Sequence, residues 1–321
     1  MRKWLALGLL AAAALIAGLY LIQGWNGAGP AQRPTAVLIP RGASLPRSAE
    51  ILARAGVIRS PGRFVFQAKL LGGGAPIKAG EYEIPAHASS ARVLALLQSG
   101  RTLQRLVTVP EGMPSILVWE RLMSAPALTG AVAVPAEGSV LPDSYAYQRG
   151  ESRAAVLNRM QRAMARTLAA LWAKRAPTTV VRSPAEAIVL ASIVEKETGK
   201  ASERAMVAGV YANRLRQGMK LDADPTVIYP VTKGKPLGRR ILVSELHAVN
   251  GYNTYAMAGL PVGPIANPGT ASIEAVLHPA QTPALYFVAD GTGGHVFANS
   301  LAEHNANVEK WRAIRRARGE M

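Results

Sequence analysis

Two glutamates, Glu195 and Glu197, directly follow the most apolar run of the chain, Ala187 to Val194. Glu195 follows Ile188 by seven positions and Ala191 by four, so a helix would place these three residues on one face, with Glu197 on another. Burial disfavours the charged form of a carboxyl group, and an acid that keeps its proton near neutral pH can act as a general acid. The alternative is an ordinary glutamate at a helix end, solvated or paired with Lys or Arg.

The segment that carries these glutamates, residues 183–199, is predicted to be a helix with a signal at each end. Ser183 is a suitable N-cap, Pro184 fits the first helical position, and Glu186 could complete a capping box. Gly199 is expected to end the helix. Because the middle of the segment is apolar on every side, we expect the helix to be buried.

The remaining acids lie beside Tyr, Asn and Thr in loops rich in Gly and Pro, and this composition suits a carbohydrate cleft. A hydrolytic glycosidase needs two carboxylates that face the scissile bond. The candidates for the second one are Asp222 and Asp224. No zinc-protease, phosphate-loop or serine-hydrolase motif occurs, and the five histidines are scattered. We therefore expect no metal and no cofactor.

The composition restricts the partners of the chain. It has 321 residues, no cysteine and a formal net charge of +17. Disulfides, thiol catalysis and cysteine-bound metal are therefore excluded. The basic charge favours an anionic partner, either lipid headgroups or a cell-wall polymer that bears carboxylates. Nucleic acid is not expected, since no recognition motif for it is present.

The N-terminus is predicted to span a membrane. Trp4 to Ile22 is a run of 19 uncharged residues, preceded by Arg2 and Lys3 and not followed by a charge until Arg33. As a helix this run is about 28 Å long, and the charge asymmetry places the N-terminus in the cytoplasm. A cleaved signal peptide is the alternative. We expect a retained anchor over residues 1–22 and a linker over residues 23–35.

A repeated pattern of short strand, proline, turn and amphipathic helix begins near Val37, near Tyr82 and again near Leu106. This pattern predicts a small α+β module over residues 36–110. Residues 111–182 are expected to be mostly helical, with a break over residues 137–145, and to pack on a catalytic domain over residues 183–321. In that domain Asp224 begins a strand or short helix, and a hairpin follows near Asp290.

Several runs of residues together resemble the endolytic murein transglycosylases, the YceG-like family. They are Ile193-Val194-Glu195-Lys196-Glu197-Thr198, Ser202-Glu203-Arg204, Asn213-Arg214-Leu215, Asp224-Pro225-Thr226-Val227-Ile228-Tyr229, Tyr252-Asn253-Thr254-Tyr255, the loop from Gly259 to Gly269, and Gly293-Gly294-His295-Val296-Phe297. The resemblance covers essentially the whole chain. It implies an α+β protein with a transmembrane helix, a LysM-like module and a lysozyme-like, mainly helical catalytic domain.

The resemblance also implies an activity. Members of the family cleave the β-1,4 bond between N-acetylmuramic acid and N-acetylglucosamine without water and leave 1,6-anhydro ends, and the glutamate that matches Glu195 is catalytic. It implies an enzyme of the inner membrane that faces the periplasm or cell wall, acts on nascent glycan strands and terminates their elongation, with peptidoglycan synthases as candidate partners. The residues expected to bind the sugars are Glu197, Asn213, Asp224, Thr226, Tyr252, Asn253 and Tyr255.

Two alternatives remain open from the sequence. One is a muramidase that uses water, with Glu195 as acid and Asp224 as nucleophile or base. The other is a glycan-binding scaffold for cell-wall synthases that has no activity of its own. The products released from cell-wall material distinguish these possibilities.

Overall fold

The computed structural model describes residues 2–319; the predicted cytoplasmic end at Met1 and the last residues of the predicted catalytic domain, Glu320 and Met321, lie outside this range. The chain forms two compact units. The first runs up to Arg105 and includes Ala146–Gly150, and the second comprises Leu106–Tyr145 and the chain from Glu151 onwards.

The first unit contains a long helix, a two-stranded sheet and three short helices. In chain order they are α1 (Arg2–Asn26), β1 (Thr35–Ile39), α2 (Leu45–Arg54), α3 (Pro61–Leu71), β2 (Gly80–Ile84) and α4 (Ser90–Ser99). Strands β1 and β2 are antiparallel, with Val37 opposite Tyr82. The inward side chains of these strands alternate with outward ones, as expected for a sheet with one buried face.

The three short helices begin in the same way. Ser44, Ser60 and Ser89 each precede a helix, and each hydroxyl accepts a hydrogen bond from the amide three residues further on. These serines satisfy amides that would otherwise lack a partner at a helix start. The amphipathic helices predicted after the first two strands are therefore confirmed as α2 and α4.

Helix α1 is apolar enough and long enough to cross a membrane over Leu7–Asn26, judged by length and composition. It extends beyond the predicted anchor. Backbone hydrogen bonds hold the segment between its end and β1. The Gly29 amide donates to the His87 carbonyl at 3.1 Å, and the His87 amide donates to the Ala31 carbonyl at 2.7 Å. Thus only residues 27–34 of the predicted linker lie between α1 and β1, and backbone hydrogen bonds hold them.

The third copy of the strand-and-helix pattern does not join the first two. Its strand, β3 (Arg105–Thr108), pairs with β4 (Ser144–Tyr147), not with β1 or β2. Its helix, α5 (Ser115–Ser124), lies in the second unit. A short apolar strand pattern indicates which residues are buried, but it does not indicate which strand will be the partner.

The second unit is mainly helical. After α5 and β4 it contains α6 (Arg153–Ala173), α7 (Pro184–Glu197), a 3-10 turn (Ala201–Glu203), α8 (Arg204–Arg216), α9 (Asp224–Thr232), α10 (Val243–His247), α11 (Thr270–Leu277), the antiparallel hairpin β5 (Tyr286–Ala289) and β6 (His295–Ala298), and α12 (Leu301–Ala317). Residues 125–143 contain no helix, so the region predicted to be mostly helical is largely irregular there.

Helix α7 lies at the centre of the second unit. Every residue from Ala187 to Val194 is buried, and helices α6, α8, α9 and α11 all pack against it. The Ser183 hydroxyl caps its first turn by accepting from the Glu186 amide at 3.2 Å. The helix ends at Glu197 because Thr198 is extended; Gly199, the predicted stop, lies one residue beyond that.

We predict that truncating a side chain inside this core destabilises the second unit strongly. Leu190 is 1% exposed, so Leu190→Ala should cost about 2–5 kcal/mol through lost burial and the cavity that remains. The control is Leu301→Ala, because Leu301 is 56% exposed and its loss should change stability by no more than about 0.5 kcal/mol. Calorimetry of the full-length protein measures both; equal melting temperatures for the two variants would contradict the central position of α7.

Candidate active site

Glu195 lies in the last turn of α7 with its side chain 5% exposed. Its Oε2 accepts a hydrogen bond of 2.8 Å from the backbone amide of Gly269, the residue that precedes α11. The N-terminus of a helix carries a partial positive charge, so this position stabilises an anionic oxygen. The predicted burial of this glutamate is therefore observed.

The other carboxyl oxygen of Glu195 faces a cation. The Nη2 atom of Arg204, the first residue of α8, lies 3.5 Å from Glu195 Oε1 and 3.1 Å from Glu111 Oε2. One guanidinium thus serves two carboxylates. Its Nε is buried and has no hydrogen-bond partner among the described residues.

Two glycines allow the chain to approach these carboxylates closely. A Cβ atom on Gly269 would lie 2.0 Å from Glu111 Oε1, so a larger residue there would displace the Glu111 side chain. A Cβ on Gly112 would lie 3.3 Å from Glu195 Cγ, and Gly112 also has a positive φ of 70°. The backbone conformation therefore favours glycine at position 112, and the absence of a side chain at Gly269 leaves room for Glu111.

A cavity of about 490 Å³ lies beside this group. Its walls come from residues 110–114, from Ile228 and Tyr229 of α9, and from residues 234–237. Gly112 both lines the cavity and lies against Glu195, so the carboxyl group and the cavity are neighbours. The apolar wall and the lysine ammonium groups of Lys196 and Lys235 could hold a sugar ring and an anionic substituent.

Glu197 leaves α7 on another face and has a different environment. Its Oε1 is buried and has no hydrogen-bond partner among the described residues. The pKa of Glu197 is raised from 4.5 to about 7, mainly by burial and also by the negative charge of Asp224, while a hydrogen bond with the Tyr211 hydroxyl opposes both effects. Burial likewise raises the pKa of Tyr211 well above its usual value, and the charge of Glu197 adds to this shift.

Asp224 and Tyr255 form a direct pair at the start of α9. The Tyr255 hydroxyl donates a hydrogen bond of 2.7 Å to Asp224 Oδ1. Burial raises the pKa of Tyr255, and its hydrogen bond with Asp224 raises it further, so the phenol stays protonated at neutral pH. Since the charge of Asp224 also acts on Glu197, the structure brings together three of the residues predicted to bind the sugars.

Three others of the predicted sugar-binding residues are engaged by the chain itself. Asn213 donates to the Thr282 and Ala284 carbonyls at 2.7 and 3.0 Å. Thr226 is fully buried, and its hydroxyl contacts the backbone and the Thr254 hydroxyl. Asn253, also fully buried, donates to the carbonyls of Glu245, Leu246 and Ala248. Asn213 lies in α8, Thr226 in α9 and Asn253 in a loop, and their polar side chains hold these segments to the neighbouring chain.

Tyr252, the last predicted sugar-binding residue, belongs to an aromatic pair. Its ring lies 4.8 Å from that of Tyr229, which lines the cavity. Tyr229 donates a hydrogen bond of 3.2 Å to Glu137, a buried carboxyl that also accepts from the Ser115 amide at 2.8 Å. Burial raises the pKa of Glu137.

The sequence analysis missed Glu111, Glu137, Arg204 and Gly269 as site residues. A signal existed for Arg204, which stands in the run Ser202-Glu203-Arg204, and for Gly269, which ends the long Gly/Pro loop. Glu111 and Glu137 lie in irregular segments, where no periodicity indicates the direction of a side chain.

No group of three or more His, Asp or Glu residues within residues 2–319 has the geometry of a metal site. His295 is bound by another residue: its Nδ1 lies 2.7 Å from Glu203 Oε2, and this contact fastens the β5–β6 hairpin to the 3-10 turn before α8. The nearest cation to Glu195 in the described contacts is therefore the guanidinium of Arg204.

Comparison with known proteins gives one consistent result. The sequence model of the YceG-like family matches residues 37–310. A Bacillus subtilis protein named endolytic murein transglycosylase is 44% identical over 124 residues, which is 39% of this chain and 34% of the relative. A Streptococcus pneumoniae protein of the same name is 26% identical over 319 residues, 84% of this chain and 57% of the relative.

The chain thus spans between about a third and somewhat over half of the length of these curated relatives. Among solved structures, a YceG-like protein of Listeria monocytogenes is similar with a TM-score of 0.55 and 26% identity. The match covers 86% of this chain and 99% of that one, so the likeness extends over both units.

The raised pKa of Glu197 leads to a prediction about pH and stability. The folded chain holds a proton at Glu197 up to about pH 7, whereas the unfolded chain releases it near pH 4.5. Stability should therefore fall as the pH rises between these values. Glu197→Gln stays neutral at every pH. Its stability relative to the wild type should therefore increase between pH 5 and pH 8 by roughly 1–3 kcal/mol, which appears as a growing difference between the two melting temperatures.

The control for this measurement is Glu274→Gln, because Glu274 is exposed on α11. Its melting temperature should follow the wild type at every pH. A difference between Glu197→Gln and the wild type that stays constant from pH 5 to pH 8 would show that Glu197 does not titrate in this window.

Proposed function

Because the chain belongs to the YceG-like family, we propose that it is a membrane-anchored lytic transglycosylase that cleaves peptidoglycan glycan strands within the strand. The relatives named endolytic murein transglycosylase support this proposal. The observation that carries it is the placement of Glu195, a buried carboxyl group beside a cavity, held between the Arg204 guanidinium and the Gly269 amide.

Glu195 acts as both acid and base in the proposed reaction. It donates a proton to the oxygen that leaves with N-acetylglucosamine as the bond from that oxygen to the muramyl anomeric carbon breaks. The muramyl C6 hydroxyl then attacks the same carbon and gives its proton to Glu195, which restores the acid. The product is a 1,6-anhydro end, no water is consumed, and one protein carboxyl is sufficient.

Arg204 prepares Glu195 for the second half of this cycle. The guanidinium and the Gly269 amide both stabilise the carboxylate, which is the form that accepts the C6 proton.

Glu197, Asp224 and Tyr255 are proposed to form the floor of the sugar site. Asp224 and the Tyr255 oxygen would accept hydrogen bonds from sugar hydroxyls, and the buried Glu197 would lie beneath them. Asn213, Thr226 and Asn253 would hold the surrounding loops in place, since their polar groups are already bonded to the chain. Tyr252, which packs on Tyr229 at the cavity wall, would support a sugar ring.

Helix α1 is proposed to anchor the protein in the inner membrane, with its N-terminus in the cytoplasm and both units on the outer side. Its length and the charges Arg2 and Lys3 support this orientation. Trp25 opposes removal of α1 as a signal peptide, because it is 7% exposed and packs against Phe64 in the first unit. The same proposal includes a LysM-like module over residues 36–110 that binds glycan. It also includes contact with peptidoglycan synthases.

A muramidase that uses water is the second candidate. Glu111 favours it more than Asp224 does, because Glu111 and Glu195 contact the same Arg204 nitrogen and are therefore close neighbours. Asp222, the other candidate from the sequence, is paired with Arg214 at 2.9 Å. The mass of the released ends separates the two activities.

We predict that Glu195→Gln abolishes most of the activity. The amide keeps the shape of the side chain but cannot transfer the proton, and such assistance is worth about 10²–10⁴-fold. The assay is the release of fragments from purified sacculi by the full-length protein in detergent, with Glu274→Gln as the control of equal charge change. A Glu195→Gln protein as active as this control would remove Glu195 from the mechanism.

The same assay identifies the reaction. Mass spectrometry should find 1,6-anhydromuramic ends on fragments from the wild type and also on the fewer fragments from Asp224→Asn. Ends heavier by one water would favour the muramidase, and Glu111→Gln should then lose as much activity as Glu195→Gln. A folded protein that releases nothing would favour the glycan-binding scaffold.

The anchor is tested separately. Membranes from cells that express the full chain should retain it after a carbonate wash at high pH, because only an inserted helix resists this treatment. The retained protein should begin before Trp4 when its N-terminal peptide is sequenced. A soluble form that begins near Ala28 would instead identify the segment as a cleaved signal peptide.

A further inference from the structure

The first unit contains a cavity of about 310 Å³ at the end of α1, far along the chain from the residues of the candidate active site. Residues 20–30 form one wall, and Arg59 and Arg63 lie on the other, with Ser60 and Ser90 beside them. We infer that this cavity binds the phosphate group of an anionic membrane lipid. The inference rests on the proposed anchoring of α1 in a membrane.

The two arginines provide the positive charge. No carboxylate among the described residues pairs with either guanidinium. Arg59 donates to the Ala28 carbonyl at 3.4 Å, and Arg63 donates to the hydroxyl and carbonyl of Tyr20 at 3.3 Å each. These neutral partners use only part of the donors of each guanidinium, and planar guanidinium groups are well suited to phosphate.

Arg63 is held at the cavity by the helix itself. Its guanidinium carbon lies 4.5 Å from the centre of the Tyr20 ring, over the ring face. A Cβ on Gly24 would lie 1.9 Å from Arg63 Nη2, so only glycine at this position lets the guanidinium approach α1. Tyr20 and Gly24 of α1 thus position the positive charge of Arg63 at the cavity.

The depth of the cavity matches that of lipid headgroups. The predicted anchor, Trp4 to Ile22, is about 28 Å long as a helix, which is close to the thickness of the hydrocarbon layer. The cavity begins at Tyr20 and continues past Asn26, so it lies where the helix leaves the hydrocarbon. Tyr20, 62% exposed, has the position typical of interfacial aromatic residues.

A lipid phosphate is therefore favoured over a soluble one, because the acyl chains could lie along exposed α1 residues such as Ile16 and Leu19. Anionic lipids should bind better than zwitterionic ones, since the arginines would repel a headgroup ammonium. Each arginine near a membrane surface contributes about 1 kcal/mol to binding anionic lipid, which corresponds to about fivefold in affinity.

The test uses the full-length protein in nanodiscs that contain equal amounts of phosphatidylglycerol and phosphatidylcholine. Native mass spectrometry of the released protein gives the ratio of the two lipids that remain bound. We expect phosphatidylglycerol to be enriched about 25-fold for the wild type, since each of the two arginines contributes about fivefold. The enrichment should be lost in Arg59→Gln/Arg63→Gln and reduced about fivefold in Arg59→Gln alone, a variant that leaves the contacts of Arg63 intact.

The matched control is Arg41→Gln/Arg101→Gln, which removes the same charge from exposed positions of the same unit, outside the cavity. It should keep the enrichment of the wild type. The inference is overturned if the control loses as much as the Arg59/Arg63 variant, if neither loses any, or if inorganic phosphate at about 10 mM removes the bound lipid and occupies the site in its place. A protein that fails to insert into nanodiscs at all would instead contradict the anchoring.

Discussion

The enclosure of helix α7 on all sides is the constraint on which the second unit depends. A helix with no polar face cannot lie at a surface, so α6, α8, α9 and α11 surround it. Its last turn nevertheless carries two carboxyl groups. Glu195 faces a cation and a helix N-terminus, whereas burial and the charge of Asp224 raise the pKa of Glu197. Two acids two residues apart thus have different electrostatic environments.

Local signals in the sequence were sufficient for most of the elements. Apolar periodicity predicted α2 and α4, and the Ser183 cap with the apolar run after it predicted α7, because these signals act over a single turn. The partner of β3 was not predictable, since pairing depends on a segment almost forty residues later in the chain. The predicted break over residues 137–145 begins earlier, at residue 125, and this extension was missed because distant groups hold its backbone, such as the Arg153 guanidinium, which donates to the Gly130 carbonyl.

The candidate site was predictable in part. The helix face of Glu195 and its burial followed from spacing and from the apolar run before it. The raised pKa appears at Glu197, which the pattern alone presented as a residue pointing elsewhere. The two glutamates differ because Glu195 contacts Arg204 and the Gly269 amide, and tertiary packing alone brings these two groups close to it. Sequence spacing therefore locates a carboxyl group more reliably than it indicates its charge.

The joint between α1 and the first unit affects how the protein is held at a membrane. Gln67 donates a hydrogen bond of 2.9 Å to the Leu21 carbonyl, and Trp25 is part of the first unit's core. Removing a buried tryptophan side chain costs about 3–5 kcal/mol, so a fragment that starts after Trp25 would lose much of a small domain's stability. The helix and the first unit consequently fold as one body. A proposed membrane anchor built in this way orients the first unit at the bilayer surface, whereas a flexible tether would leave it free to turn.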